Sequence, residues 1–365
     1  MCPTMTVPLF DPLTPLAPLR ERLDAAVRGV LDDGRFILGP NVEAFEREFA
    51  AAIGTTEAVG VANGTDALTI ALRALGVGPG DEVIVPSFTF FASAGAIPPT
   101  GATPVFCDID PETFLATPET VKAVMTPRTK AVVVVHLFGN VAPVREIEAL
   151  GVPVVEDTAQ AAGSIGPDGR PGALGTIATF SFYPSKNLGC FGDGGAVTTS
   201  DAQLADRVRL LRAHGSRGPA GFEEVGWNSR LDELQAAVLR VMLPELPHWA
   251  AHRRLVGRWY AEAGLDEYCR LPVATAGSEP AWHVFVVRHD RPDELRDALT
   301  QRGVEARDYY RTPAHRQRAM QGISISGELP GTDEAARTHL ALPISAATTW
   351  EQVVEVTEAV RDAAI

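Results

Sequence analysis

From residue 59 to about residue 199 the chain keeps switching between short apolar runs and stretches with helical spacing, and few folds accept that rhythm. The runs lie at 59–62, 82–86, 104–109, 131–137, 153–156 and 177–182, and a further β-rich run opens at Ala196. None is long enough to be a buried helix, and their boundaries are glycines, prolines and polar turns. Helical stretches such as 118–125 and 143–150 separate them. A strand followed by a helix and another strand is the pattern of a mostly parallel α/β sheet with helices on both faces. Such sheets hold their ligands at the carboxyl ends of the strands.

Around this centre the spacing predicts helices at 20–33, closed by Gly34, and at 67–75. Asn41 is expected to cap a helix containing Val42, Phe45 and Phe49, and Ser200 with Gln203 to form a capping box for a helix at 202–212. Leu231, Leu234, Val238 and Met242 share one helical face. After residue 245 the composition turns Arg- and Pro-rich. A long helix (248–263), a strand (281–287) and a helix (292–302) predict a smaller α+β unit, dividing the chain into 1–245 and 246–365.

The chain has 365 residues, enough for two domains, and 45% are hydrophobic without any run approaching a membrane span. Residues 1–18 lack the basic and apolar regions of a secretory signal, so a soluble cytoplasmic protein is expected. Cys2, Cys107, Cys190 and Cys269 are scattered, which indicates neither a disulfide framework nor a zinc site, and no other metal site is read. The formal charge of −14 argues against a nucleic-acid partner. An anionic ligand would need local positive potential from helix ends and a few arginines.

Three stretches carry chemistry. The run at 177–182 stops at Pro184 and delivers Lys186 into a glycine-rich turn, bracketed by aromatics, with no acidic residue in helical register to pair it. A desolvated lysine gives up its proton readily and suits Schiff-base formation; standing alone, it would be an ordinary loop lysine. Asn63-Gly64-Thr65-Asp66 joins a strand to a helix N-terminus, an arrangement that binds anions when it is more than a turn and cap. Glu156 and Asp157 end an apolar strand, where a paired structural acid and a functional carboxylate are both reasonable. The 29 residues from Asp157 to Lys186 leave room for one excursion and one strand, so both can reach a common ligand. Phe88, Phe90 and Phe91 follow another strand, where aromatics are usually core.

Phe180-Ser181-Phe182-Tyr183-Pro184-Ser185-Lys186-Asn187-Leu188-Gly189, followed by Gly192-Asp193-Gly194-Gly195-Ala196-Val197, resembles the cofactor-lysine segment of the DegT/DnrJ/StrS family of pyridoxal-phosphate sugar aminotransferases. The resemblance extends from about residue 34 to 315. It implies the aspartate-aminotransferase-like fold type I: a three-layer, mostly parallel seven-stranded sheet with a smaller C-terminal α+β domain. By the same resemblance Lys186 carries pyridoxal 5'-phosphate as an imine and later shuttles the proton. Asp157 keeps the ring nitrogen protonated, Gln160 bonds the ring hydroxyl oxygen and Phe90 stacks on the pyridine face. Gly64, Thr65 and Ser181 bind the phosphate, joined by Asn228 from the partner of a homodimer with two composite sites; Asn228 is otherwise a helix cap.

Phe36, Tyr183, Tyr310 and His315 are the substrate candidates. Around 309–317 the match is partial, because Arg311 and Thr312 interrupt the family's pattern, and an arginine-rich surface loop is the competing reading. The implied reaction moves an amino group from L-glutamate to a nucleotide-linked keto sugar. The segments 189–195 and 228–232 look more like members that aminate carbon 3 of a dTDP-linked 6-deoxyhexose. Amination at carbon 4, amination of a carbocycle and a cofactor-binding regulator remain as alternatives. The family's dehydratases place a histidine where this chain has Lys186.

Overall fold

The computed structural model describes residues 7–219 and 221–363. Its central sheet contains β1 (Glu57–Val61), β2 (Glu82–Pro86), β3 (Thr103–Cys107), β4 (Thr129–Val135), β5 (Val154–Asp157), β6 (Ile177–Ser181) and β7 (Gly195–Thr199). The order is β1-β7-β6-β5-β4-β2-β3. Only β7 runs against its neighbours, β1 and β6; all other pairings are parallel. The expected seven-stranded, mostly parallel α/β sheet is therefore present.

In β1, β6 and β7 the two faces feed two different apolar clusters, while β2 to β5 are buried on both faces within one cluster, which is why the runs are apolar throughout rather than alternating. Val59, Val61 and Val197 join the cluster of Ile70, Val85 and Val133. Ala58, Ala196 and Phe180 join the opposite one, with Phe45 and Phe49 of the helix Pro40–Ile53. There Phe49 meets Phe180 edge to face at 4.9 Å and Phe182 at 5.3 Å. These rings fix the strand that leads to Lys186.

β8 (Phe285–Arg288) and β9 (His339–Leu342) form an antiparallel pair beside the helices Leu246–Glu262, Pro292–Gln301 and Trp350–Ala363. Tyr260, Phe285, Leu299 and Val356 give this part its own apolar cluster. Val7 packs into the same cluster and bonds the segment 303–305 through backbone. The segment at Val7 is thus fastened to the last third of the chain.

Several local expectations are corrected. The helix foreseen at 67–75 starts at Gly64, capped by Asn63, so Gly64 and Thr65 are its first residues. Asn41 lies inside the helix Pro40–Ile53; the missing cap comes from Glu233, whose carboxylate accepts the N–H groups of Gly39, Asn41 and Val42. Asp201, rather than a Ser200–Gln203 box, caps the helix Ala202–Arg212. Asp232 caps the helix Glu233–Met242, so Asn228 is no cap; Leu231 precedes that helix and Leu234 is half-buried. The strand expected at 281–287 begins only at Phe285, because Trp282 takes a positive φ of 35°. Cys107, Cys190 and Cys269 are buried and unpaired, while Cys2 and residues 1–6 of the opening stretch lie outside the described residues.

Candidate active site

Because β7 is reversed, its first residue meets the ends of β1 and β6: Gly195 pairs with both Val61 and Ser181. A Cβ on Gly195 would lie 2.5 Å from the Asn63 backbone, so only glycine lets the turn after β1 cross here. Asn63 Oδ1 accepts the Asp66 N–H (2.8 Å). The amides of Gly64 and Thr65 precede the first intrahelical bond and take no partner among the described residues. Gly64 sits directly against Ser181; a Cβ there would be 2.7 Å from Ser181 Cβ. Unpaired N–H groups, a hydroxyl and the positive end of the helix Gly64–Ala74 therefore meet at one point, ready for an anion.

The two acids at the end of β5 separate by role. Glu156 is fully buried and accepts the N–H groups of Gly172 (2.9 Å), Leu174 (2.8 Å) and Gly175 (2.7 Å). It also meets His136 Nε2 at 2.9 Å; His136 Nδ1 receives the Ala142 N–H, so Nε2 is the donor. With every lone pair engaged, Glu156 is a structural anchor. Asp157 faces the other way, into the cavity. The Ser93 hydroxyl donates to its Oδ2 (2.7 Å) and the Ala159 N–H to its Oδ1 (3.2 Å), leaving acceptor capacity for a cationic ligand.

Lys186 stands on the turn after β6. That turn is pinned by the Phe182 N–H to Gly194 O, the Cys190 N–H to Phe182 O, and the amide of Asn187, which reaches Ala162 O (3.3 Å) and Ala281 O (3.2 Å). The lysine amine has no hydrogen bond or ion pair among the described residues. Burial draws its ammonium down to about 8, against the opposing pull of Asp157. Cys190 nearby is a packing residue, its thiol pushed up by burial to about 11.

A cavity of about 1220 Å³ is lined by Lys186, Asp157, Gly64, Thr65 and Ser181, and also by Phe90, Gln160, Tyr183 and Tyr310. That is room for a cofactor together with a substrate. Phe88 is fully buried, whereas Phe90, 57% exposed, and Phe91, 36% exposed, both line the cavity, which separates the core aromatic from those available to a ligand. Gln160 is locked: the Phe138 N–H donates to its Oε1 (2.7 Å), and its Nε2 donates to the Tyr310 hydroxyl (3.2 Å). Three candidates are not in this lining. The Phe36 carbonyl accepts the Glu233 N–H while its ring is exposed; Asn228 is exposed and bridges Ala213; His315 Nδ1 turns to the Ser87 hydroxyl beside Phe106. Sequence reasoning missed Ser93 and Asn187, which hold the two central groups, and Phe138, which orients Gln160. Only Asn187, adjacent to the lysine, left a signal.

The pattern defining the DegT/DnrJ/EryC1/StrS aminotransferase family matches residues 18–361. The chain belongs to this family. Among curated members of the aminotransferase family, it is 46% identical to a dTDP-3-amino-3,4,6-trideoxy-alpha-D-glucose transaminase of Streptomyces venezuelae, over 98% of this chain and 96% of that one. It is 42% identical to a UDP-N-acetyl-3-dehydro-alpha-D-glucosamine 3-aminotransferase of Acidithiobacillus ferrooxidans, over 99% of each. Among solved structures, S. venezuelae DesV in complex with a ketimine intermediate superposes with a TM-score of 0.94 at 46% identity, covering 98% of both chains. The fold is that of the family's aminotransferases.

Proposed function

We propose that the chain is a pyridoxal-phosphate-dependent aminotransferase that moves the amino group of L-glutamate to carbon 3 of a dTDP-linked keto-6-deoxyhexose, as a cytoplasmic homodimer. The observation that carries the reading is an unpartnered, easily deprotonated amine, Lys186, sharing one cavity with the Asp157 carboxylate and a ready anion site. The residues present fit the cofactor. Gly64 and Thr65 N–H groups and the Ser181 hydroxyl would hold its phosphate, in the space that a Cβ on Gly64 would fill. Asp157, with spare acceptor capacity, would hold a protonated ring nitrogen. Gln160, its Oε1 already used, offers an N–H to a ring oxygen, and the exposed Phe90 offers a flat apolar face.

When bound, pyridoxal phosphate supplies an electron sink for the bonds to be broken next to nitrogen. Lys186 supplies the nucleophilic amine and, once free, takes and returns a proton at Nζ. Asp157 keeps negative charge where the ring's positive charge must persist. Carbon 3 is favoured because both curated relatives named above carry the amino or keto group at that position in their names. An Asn228 outside its own chain's cavity, and a groove bordered by the exposed Leu13, Leu31 and Phe191, support a partner subunit that completes the site.

The test combines two measurements. Borohydride should fix the cofactor to the wild-type chain and not to Lys186→Ala. Incubation with glutamate and a panel of nucleotide keto sugars, read by NMR, should give a 3-amino product. A 4-amino or carbocyclic amine transfers the assignment to those alternatives, and absence of any half-reaction with glutamate makes the chain a cofactor-binding regulator.

A further inference from the structure

His283 lies just before β8 and lines the same cavity as Lys186, yet no part of the reaction outlined above uses it. It is 5% exposed. Phe10, brought over by the N-terminal segment, stacks on its ring at 5.9 Å and 21°, and Arg253 donates to the carbonyls of Trp282 and His283. Nδ1 is sealed from solvent and has no hydrogen-bond partner among the described residues. Nε2 is also unpartnered there but is not sealed, which leaves it as the cavity-facing nitrogen. A buried N–H without an acceptor is rarer than a buried lone pair without a donor, so the ring proton belongs on Nε2.

We infer that His283 is a positioning residue for Lys186, offering the Nε2–H of a neutral imidazole to the lone pair of the unprotonated Lys186 amine. Burial, with Lys186 and Arg253 alongside, holds His283 well below the ordinary imidazole range, so the ring stays uncharged. The charged groups facing the pair are Asp157, toward the lysine, and Arg253, toward the histidine. Asp66, Asp193, Arg307 and Arg311 also line the cavity, and Tyr310, raised by burial, is neutral. Asp157 favours the ammonium; a donor from His283 favours the free amine and fixes its direction. This rests on the proposed function only in taking Lys186 as the working amine, so it is tested on the full chain freed of cofactor, where transfer activity plays no part.

Histidine-selective ¹⁵N NMR, with the signal assigned by its loss in His283→Gln, should show a neutral ring protonated on Nε2 between about pH 6 and 9. A proton on Nδ1, or a cation at neutral pH, overturns the inference. Independently, the pH dependence of Lys186 acylation by limiting acetic anhydride, read by peptide mass, gives the titration midpoint of the amine. His283→Phe keeps a ring against Phe10 but removes the donor, and the midpoint should rise by about one pH unit. His283→Gln, which retains an N–H, should restore most of the difference. An unchanged or lowered midpoint in His283→Phe refutes the role; if that variant does not fold, the wild-type histidine spectrum decides.

Discussion

A lysine desolvated in a cavity, with only the pull of a carboxylate that it does not touch to offset this, costs the folded chain stability at neutral pH, and Lys186 is such a lysine. Its folded-state value, about 8, lies below the ordinary 10.5, so between those two values the unfolded chain binds more protons than the folded one. Stability from this group therefore rises with pH through that window, and the cost is complete below it, at about 3 kcal/mol at most. In the cofactor-free chain, Lys186→Met should accordingly raise the urea midpoint at pH 7, by roughly 1–3 kcal/mol of stability, with the gain fading toward pH 10. Equal stabilisation at both pH values would mean that packing, not charge, is responsible. The aromatic and glycine neighbours that hinted at this behaviour could be read along the chain. Ser93, which donates to Asp157 from 64 residues away, could not, because a buried serine has no local pattern that names its acceptor.

At the scale of elements, carboxylates replace local caps. Glu233 closes the helix Pro40–Ile53 from nearly 200 residues away, and Glu156 gathers the loop 172–175 beneath the end of β5. Glu156→Gln is nearly isosteric, but it turns an acceptor into an N–H that faces other donors. We expect a loss of about 3–5 kcal/mol in urea unfolding, since buried groups left unpaired cost this much together. Because Asp157 has its own partners, the variant should still bind cofactor wherever it remains folded; selective loss of binding at full stability would place Glu156 in the site after all. The helix at Gly64 differs in that its cap is local: three residues judged to be turn belong to the helix, because Asn63, directly before Gly64, accepts the Asp66 N–H and starts it there.

For the whole molecule, the proposed composite sites make a subunit-mixing prediction. Neither Lys186→Ala nor Asn228→Ala homodimers should be fully active. If Asn228 acts across the interface, randomly reassorted dimers should regain about one quarter of wild-type sites, because one site in each mixed dimer is intact. Recovery no better than the average of the two parents would place Asn228 within its own subunit. The alternation of apolar runs and helices, the lysine turn, the carboxylate at a strand end and the strand–glycine–helix junction were all written in neighbouring residues, since backbone periodicity and turn chemistry are local. That fixed an α/β sheet and the chemical character of its carboxyl edge. Only the tertiary structure decided that β7 runs backwards to bring Gly195, Asn63 and Ser181 together. It also decided that Glu156 is an anchor while Asp157 keeps acceptor capacity toward the cavity, and that His283 lines the same cavity as Lys186. Those outcomes depend on which distant side chains use up each polar group's partners, and hydrogen-bond accounting of that kind closes only once the chain has folded.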